Sequence, residues 1–321
     1  MSGRAPDGRA LVNRRALLLG GAGALLLSAC ESDGAGATGN LRIATGSTGA
    51  VYYQYGKAIA DLAKRYLPDV HASVLTTNAS KENVGAILAG QAELGFTQAD
   101  TAGEGDRAAP GQLAALARIY DDYVHLVVAR DSPIETVADL HGRQVSVGAA
   151  GSGTAGTADH ILDVAGAGLK ASIIQRPLNL DDSVKALQAR QIDAFFFSGG
   201  LAVGLIQQLA EKFPIRLLAL DTFVQPLRKA FGNYYAERVV PASAYHGINP
   251  TVAIGIANYL VVRGSMPEPL AYGVTRLLFE GRDELAKAHQ AAARLNIRSA
   301  ISTPPLPLHP GAVRYYRAQK A

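Results

Sequence analysis

Leu41-Arg42-Ile43-Ala44, then Thr45-Gly46-Ser47-Thr48-Gly49-Ala50, then Val51-Tyr52-Tyr53 and onward to Tyr66 give an apolar run, a glycine loop and a helical pattern in direct succession. The first run reads as a strand. From Val51 to Tyr66 the spacing changes: Ile59, Leu62, Ala63 and Tyr66 share one helical face, and Pro68 stops the pattern. The same order recurs downstream. Strands are expected at 71–75 and 94–97. Between them lies a helix that Ser80 caps, that carries Val84, Ile87 and Leu88, and that Gly90 ends. Strand–helix–strand repeats of this kind predict an α/β fold with a parallel sheet.

A strong strand at 123–129 closes this series, and a second follows. Strands are expected at 144–147, 172–175, 193–197 and 215–220, with helices at 154–164, 181–191 and 201–212. A long apolar strand at 253–262 comes late, before helices at 268–280, 283–295 and 310–320. Two series with a late return predict two lobes, joined by crossovers near Val127 and Val240. Residues 41–127 with 241–321 form one lobe and 128–240 the other. Ligands of such sheets bind beyond the carboxyl ends of the strands, which here face each other across a cleft.

The chain has 321 residues, 48% apolar and 18% charged, which suits a globular protein with a substantial core. Its net charge of +4 owes +3 to residues 1–29, where Arg4, Arg9, Arg14 and Arg15 outweigh Asp7. The remainder is close to neutral, without the basic patch that nucleic acid requires. One Cys excludes an intrachain disulfide, and the seven His show no close ligand spacing, so no metal and no cofactor are expected.

Residues 1–29 read as an address. Arg14-Arg15 precedes an apolar run from Ala16 to Ala29, too short to span a bilayer and suited to a signal peptide. Leu27-Ser28-Ala29-Cys30 resembles the lipobox of bacterial lipoproteins, in which Cys30 becomes the acylated first residue. The expected product is exported and tethered by its lipid to a membrane, at the periplasmic face or the cell surface. Residues 30–40, small, polar and glycine-rich, read as a flexible tether.

Five loops carry the polar groups a ligand needs. In the first, Gly46, Ser47 and Thr48 bring backbone N–H groups and hydroxyls to a helix N-terminus, with Tyr52 and Tyr53 behind them. The second offers Thr77, Ser80 and Asn83. The third offers Gln98 and Asp100, the latter either a helix cap or an acceptor for a ligand ammonium group. The fourth, Gly151-Ser152-Gly153-Thr154-Ala155-Gly156, contains G-x-G-x-x-G, with Arg176 further on. Its glycines start four positions beyond Val147, too late for a dinucleotide fingerprint, so a small anion held by Ser152, Gly153 and Thr154 at the helix end is expected instead. The fifth supplies Ser198 and Gly200. Among catalytic motifs, neither G-x-S-x-G nor the phosphate-binding G-x-x-x-x-G-K-[ST] occurs, so no enzyme is expected.

Together these segments resemble the TAXI family of solute-binding proteins, which serve TRAP-type transporters. The resemblance rests on residues 45–53, Ser80 with Asn83, Gln98-Ala99-Asp100, Val145–Gly148 with Gly151–Thr154, and Asp193–Phe196. It continues through Val240-Pro241-Ala242 with Tyr245 and through Pro307–Ala312 with Tyr315-Tyr316. It implies a two-lobed periplasmic-binding-protein fold of the second type with the solute in the cleft. It further implies a monomer that takes a glutamate-like amino acid or small carboxylate and delivers it to an ion-driven membrane permease. Ala50 and Ala79 stand where the family often has glycine, and Leu201-Ala202 replaces a frequent proline. An ABC-type uptake receptor of the same fold, or an exported enzyme with a serine nucleophile, are the alternative readings.

Overall fold

A computed structural model describes residues 36–48 and 50–320. The signal segment and Cys30 lie outside these. Residues expected in the tether belong to the fold: Ala37 is buried in the core, and the first strand, β1 (Gly39–Ala44), already includes Gly39 and Asn40.

The first helix, α1 (Val51–Tyr66), occupies the predicted residues. It buries Tyr52, Tyr55, Ile59, Leu62 and Ala63 on one face. Each large side chain so buried contributes roughly 1.5–3 kcal/mol. Gly56 lets the helix lie close to β1, because a Cβ there would sit 2.5 Å from the Thr45 methyl. Next come β2 (Val70–Leu75), α2 (Ser80–Leu88), β3 (Leu94–Gln98) and α3 (Ala99–Ala108). β4 (Leu113–Ala129) runs for 17 residues, more than twice the predicted length. Then follow β5 (Gln144–Ser146), α4 (Gly153–Val164), β6 (Ile174–Arg176), β7 (Ala194–Gly199), β8 (Ile215–Leu217), β9 (Tyr235–Val240) and β10 (Thr251–Arg263). Helices Glu268–Glu280 and Pro310–Ala318 close the chain near their expected places.

The sheet is mixed rather than parallel. Its order is β2-β1-β3-β10-β4-β7-β5-β6, with β8 on β4 and β9 on β10. β1, β2 and β3 are mutually parallel, as are β5, β6 and β7. β10 and β4 run antiparallel to each other and to β3, β7, β8 and β9. These two long strands carry the sheet from one lobe into the other, which the strand–helix alternation could not reveal.

Several local expectations are corrected. Ser80 is not the cap of α2. Ala79 holds that position at φ +76°, in the left-handed region, where its Cβ is strained and the glycine common in TAXI proteins would not be. The strand expected at 172–175 starts later, because Leu169–Ser172 forms a helical turn. The helix expected at 201–212 begins only at Gly204, and the strand at 215–220 ends at Leu217. The helix expected at 283–295 stops at Ala288. There His289 turns the chain, accepting the Ala291 N–H on Nδ1 at 3.1 Å.

Candidate functional site

β1, β3, β5 and β7 all end at one place, the seam between the lobes. Each delivers a loop whose side chains sequence alone had singled out. Gln98, at the end of β3, is the centre. Its Nε2 donates to Asp122 Oδ2 at 2.8 Å and to Ser198 Oγ at 2.5 Å. Ser198, at the end of β7, receives support from the other side: its backbone N–H donates to Thr154 Oγ1 at 3.1 Å. Ser80 accepts the Gln98 backbone N–H at 3.2 Å, and the Tyr52 hydroxyl lies 3.4 Å from Ser80 Oγ while donating to Asn258 Oδ1. Gln98, Ser80, Asp122 and Asn258 are all buried.

Gly153 makes the close approach possible. A Cβ there would overlap Gln98 Oε1 and lie 2.7 Å from Ser80 Oγ. Any side chain at 153 would thus collide with the opposite lobe. Gln98 Oε1, aimed at this backbone, has no hydrogen-bond partner among the described residues. An acceptor buried without a donor costs roughly 1–3 kcal/mol, which a ligand N–H or O–H would relieve.

Asp122 dominates the electrostatics. Burial pushes its carboxyl up to about 7, against the lowering effect of donors from Gln98, Asn258 and Ser198, while the neighbouring charge of Asp121 raises it further. Burial likewise raises the phenols of Tyr52 and Tyr120, with Asp122 adding to both, so each remains a neutral donor. Asp122, Tyr120 and Asn258 were not anticipated. Asp122 stands beside a second aspartate, Asp121, in a stretch that carries no motif. Asn258 left one signal, a lone amide inside the apolar run at 253–262.

Other expected ligand groups serve the fold. Asn83 Nδ2 donates to Thr45 O at 2.6 Å and Phe96 O at 2.8 Å, tying α2 to the ends of β1 and β3. Thr77 Oγ1 is held between Thr45 O and Asn83 Oδ1. Asp100 turns away from Gln98. It accepts from the Thr101 backbone at 2.7 Å, Thr157 Oγ1 at 3.0 Å and the Tyr235 hydroxyl at 3.3 Å, and the N-cap of α3 is Gln98, so Asp100 is not the helix cap. Burial raises its pKa, with the nearby His160 opposing the rise. Its neighbour Glu104 meets His160 Nε2 at 2.9 Å, a second tie between α3 and α4.

Ser152 caps α4 by accepting the Ala155 N–H at 3.1 Å. Thr154 also accepts, so both hydroxyl protons point elsewhere than into these bonds and can serve as donors. Gly46 is buried beside Ala79 and Tyr52, whereas Ser47 and Thr48 are exposed at the rim and Tyr53 is half-buried. Gly200 packs near the Tyr120 ring. Arg176, where a nucleotide-binding protein would read a ribose, donates instead to Gln144 Oε1 at 3.0 Å on the surface.

The sequence pattern of the NMT1-like family matches residues 43–319, nearly all of the described chain. The chain belongs to the NMT1-like family. Among solved structures it is similar to XAC2383 from Xanthomonas citri, determined with bound chloride. There the identity is 12%, the coverage 87% of this chain and 95% of that one, and the TM-score 0.52. A putative L-cystine ABC transporter from Listeria monocytogenes matches at 14% identity over 78% and 94% of the two chains, TM-score 0.51. The periplasmic aliphatic sulphonate binding protein SsuA from Escherichia coli is 21% identical over 87% and 82%, TM-score 0.47. At such identities the likeness concerns the fold. This NMT1-like chain has the two-lobed fold of periplasmic solute-binding proteins.

Proposed function

We propose that this NMT1-like chain is an exported solute-binding lipoprotein that captures a small organic anion between its lobes and hands it to a membrane permease. One observation carries the reading: Gln98 of one lobe meets Ser198 of the other over a buried carboxylate, where the ends of β1, β3, β5 and β7 come together. Residues 41–127 with 241–321 would move against 128–240 in a hinge motion through β4 and β10.

Asp122 narrows the anion to one that also bears donors. A carboxylate set against the α4 N-terminus gains about 0.3–1 kcal/mol from the helix dipole, and up to ~2 when partly buried. Hydrogen bonds from Ser152 and Thr154 add roughly 1.5–3 kcal/mol each. An ammonium group of the same molecule would satisfy Asp122 and Gln98 Oε1. A glutamate-like amino acid meets both demands, and a simple dicarboxylate meets only the first. Micromolar affinity, about −8.2 kcal/mol, is within reach after the cost of fixing the ligand.

Calorimetry with L-glutamate, succinate and a neutral sugar tests this. The amino acid should bind most tightly and the sugar not at all, and Gly153→Ala should weaken binding by about tenfold or more by propping the lobes apart. Equal binding of the sugar, or an undiminished Gly153→Ala variant, would refute the site. The TAXI resemblance makes the permease TRAP-type. The Listeria neighbour, described as an ABC transporter, supports the alternative. Uptake by vesicles under an imposed ion gradient without ATP fits the first reading, and a strict ATP requirement the second.

A further inference from the structure

The opposite face of the hinge holds a second basin. Residues along a strand alternate between faces. Asp122 and Asn258 look into the seam, so Asp121 and its register partner Ala257 look the other way. There a cavity of about 230 Å³ opens to solvent. Its floor is β4 and β10. One wall comes from the first lobe, including Ser302, and the other from the segment around Tyr234 in the second.

Three guanidinium groups line it: Arg118, Arg228 and Arg238. Asp121 is the one carboxylate among the lining residues. It is gripped by Arg118 at 2.5 Å and by Arg238 at 2.8 Å. Three cations against one anion leave a surplus of two positive charges in a concave, partly desolvated place. Such charge is ordinarily expensive to gather, because like charges repel more strongly as water is excluded.

Two glycines shape the basin. Gly255 lets the Arg238 stem lie across β10, since a Cβ would fall within the space of Arg238 Cγ. Gly103 of α3 accommodates the Tyr234 ring in the same way, a Cβ there lying 2.8 Å from the ring carbon that bears the hydroxyl. Arg238 is thereby pinned at the floor and the Tyr234 phenol at the wall. Arg228 stands at the rim, its Nε bonded to Asn233 Oδ1 at 3.2 Å. Planar guanidinium forks match clustered oxyanions.

We propose that this basin is a second ligand site, for a small multivalent oxyanion of the diphosphate or tricarboxylate class, distinct from the seam between the lobes. Because its walls belong to both lobes and its floor to the hinge strands, an anion bound there favours one lobe arrangement over the other. By linkage it alters affinity in the seam.

The test uses the mature protein with pyrophosphate and with citrate as probes, titrated calorimetrically at physiological salt. At least one should bind saturably with one-to-one stoichiometry. Arg228→Ala, at an exposed position whose side chain bonds Asn233 and no other described residue, should weaken it by about tenfold. Arg190→Ala, which removes an equally exposed arginine paired with Asp131 elsewhere, should leave it unchanged. Binding should also persist in Thr154→Ala, which removes a hydroxyl of the seam without propping the lobes apart. Absence of saturable binding by either anion overturns the proposal. So does equal weakening by both arginine variants, which would indicate general charge attraction, or loss in Thr154→Ala, which would place the anion in the seam. An acidic peptide that binds where neither small anion does would also overturn it, in favour of a protein partner.

Discussion

Burial holds the Asp122 carboxyl at about 7, well above its ordinary 3.8. The folded value exceeds the unfolded one, so folding favours the protonated form. Below about pH 4 both states carry the proton and the site is costless. As pH rises the cost grows, levelling off above about 7. The gap corresponds to roughly 4 kcal/mol against the ligand-free protein at alkaline pH. Asp122→Asn should therefore raise the melting temperature in mildly alkaline buffer, with the gain fading to nothing below about pH 4. It should also weaken an amino-acid ligand more than a dicarboxylate. Thermal melts across pH check the first, and a variant no more stable than the parent at alkaline pH would contradict it. This residue was not legible in sequence as a site residue. Nothing in Asp121-Asp122 says which carboxylate faces inward, because that depends on a strand whose first half was not recognised. Ser198 and Gln98 were legible because each closes a strand, and Thr154 because it opens a helix after a glycine loop, and the ends of the strands of an α/β sheet meet.

Among the elements, α2 is fastened by one side chain. Asn83 donates to two backbone carbonyls, those of Thr45 and Phe96. Asn83→Ala should take this donor from the buried Phe96 carbonyl and leave Thr45 O to Thr77 Oγ1 alone, costing about 1–3 kcal/mol, readable as a lower urea midpoint. A change within a few tenths of a kcal/mol would mean that water replaces the amide. Elements with a clear period were legible to the residue: α1, and helix Glu268–Glu280, each with a broad apolar stripe. Two classes were not. The start of β4, Leu113 to Ala117, is fully or nearly buried, so it lacks the alternation that marks a half-exposed strand. α3 carries two glycines, two aspartates and a threonine in ten residues, poor helix formers that its packing under Tyr234 and against α4 overrides.

For the molecule as a whole, the address at the amino terminus makes a separate demand. If Cys30 is acylated, Cys30→Ala should move the protein from the membrane to the soluble fraction, since buried acyl chains contribute roughly 0.8 kcal/mol per CH₂. Fractionation of cells expressing each form checks this, and a variant that stays on the membrane would point to another anchor. The two lobes were foreseen and the mixed sheet was not. Alternation of strands and helices reports local order. Strand direction across the hinge depends on β10, which returns from some 120 residues downstream of β4.

That late return has a consequence for how the chain comes into being. β10 lies between β3 and β4 and also carries β9, so both lobes lack a central strand until residues 251–263 are present. During synthesis four-fifths of the polypeptide emerges before either half can finish its sheet. Until then β3 and β4 expose unpaired edges to one another and to any neighbour. Pairing that distant in sequence is also slow, because the loop must close before the contact repays it. Such a chain stays unfolded long after most of it has been made. Over that interval the open edges of β3 and β4 are the surfaces where mispairing would start.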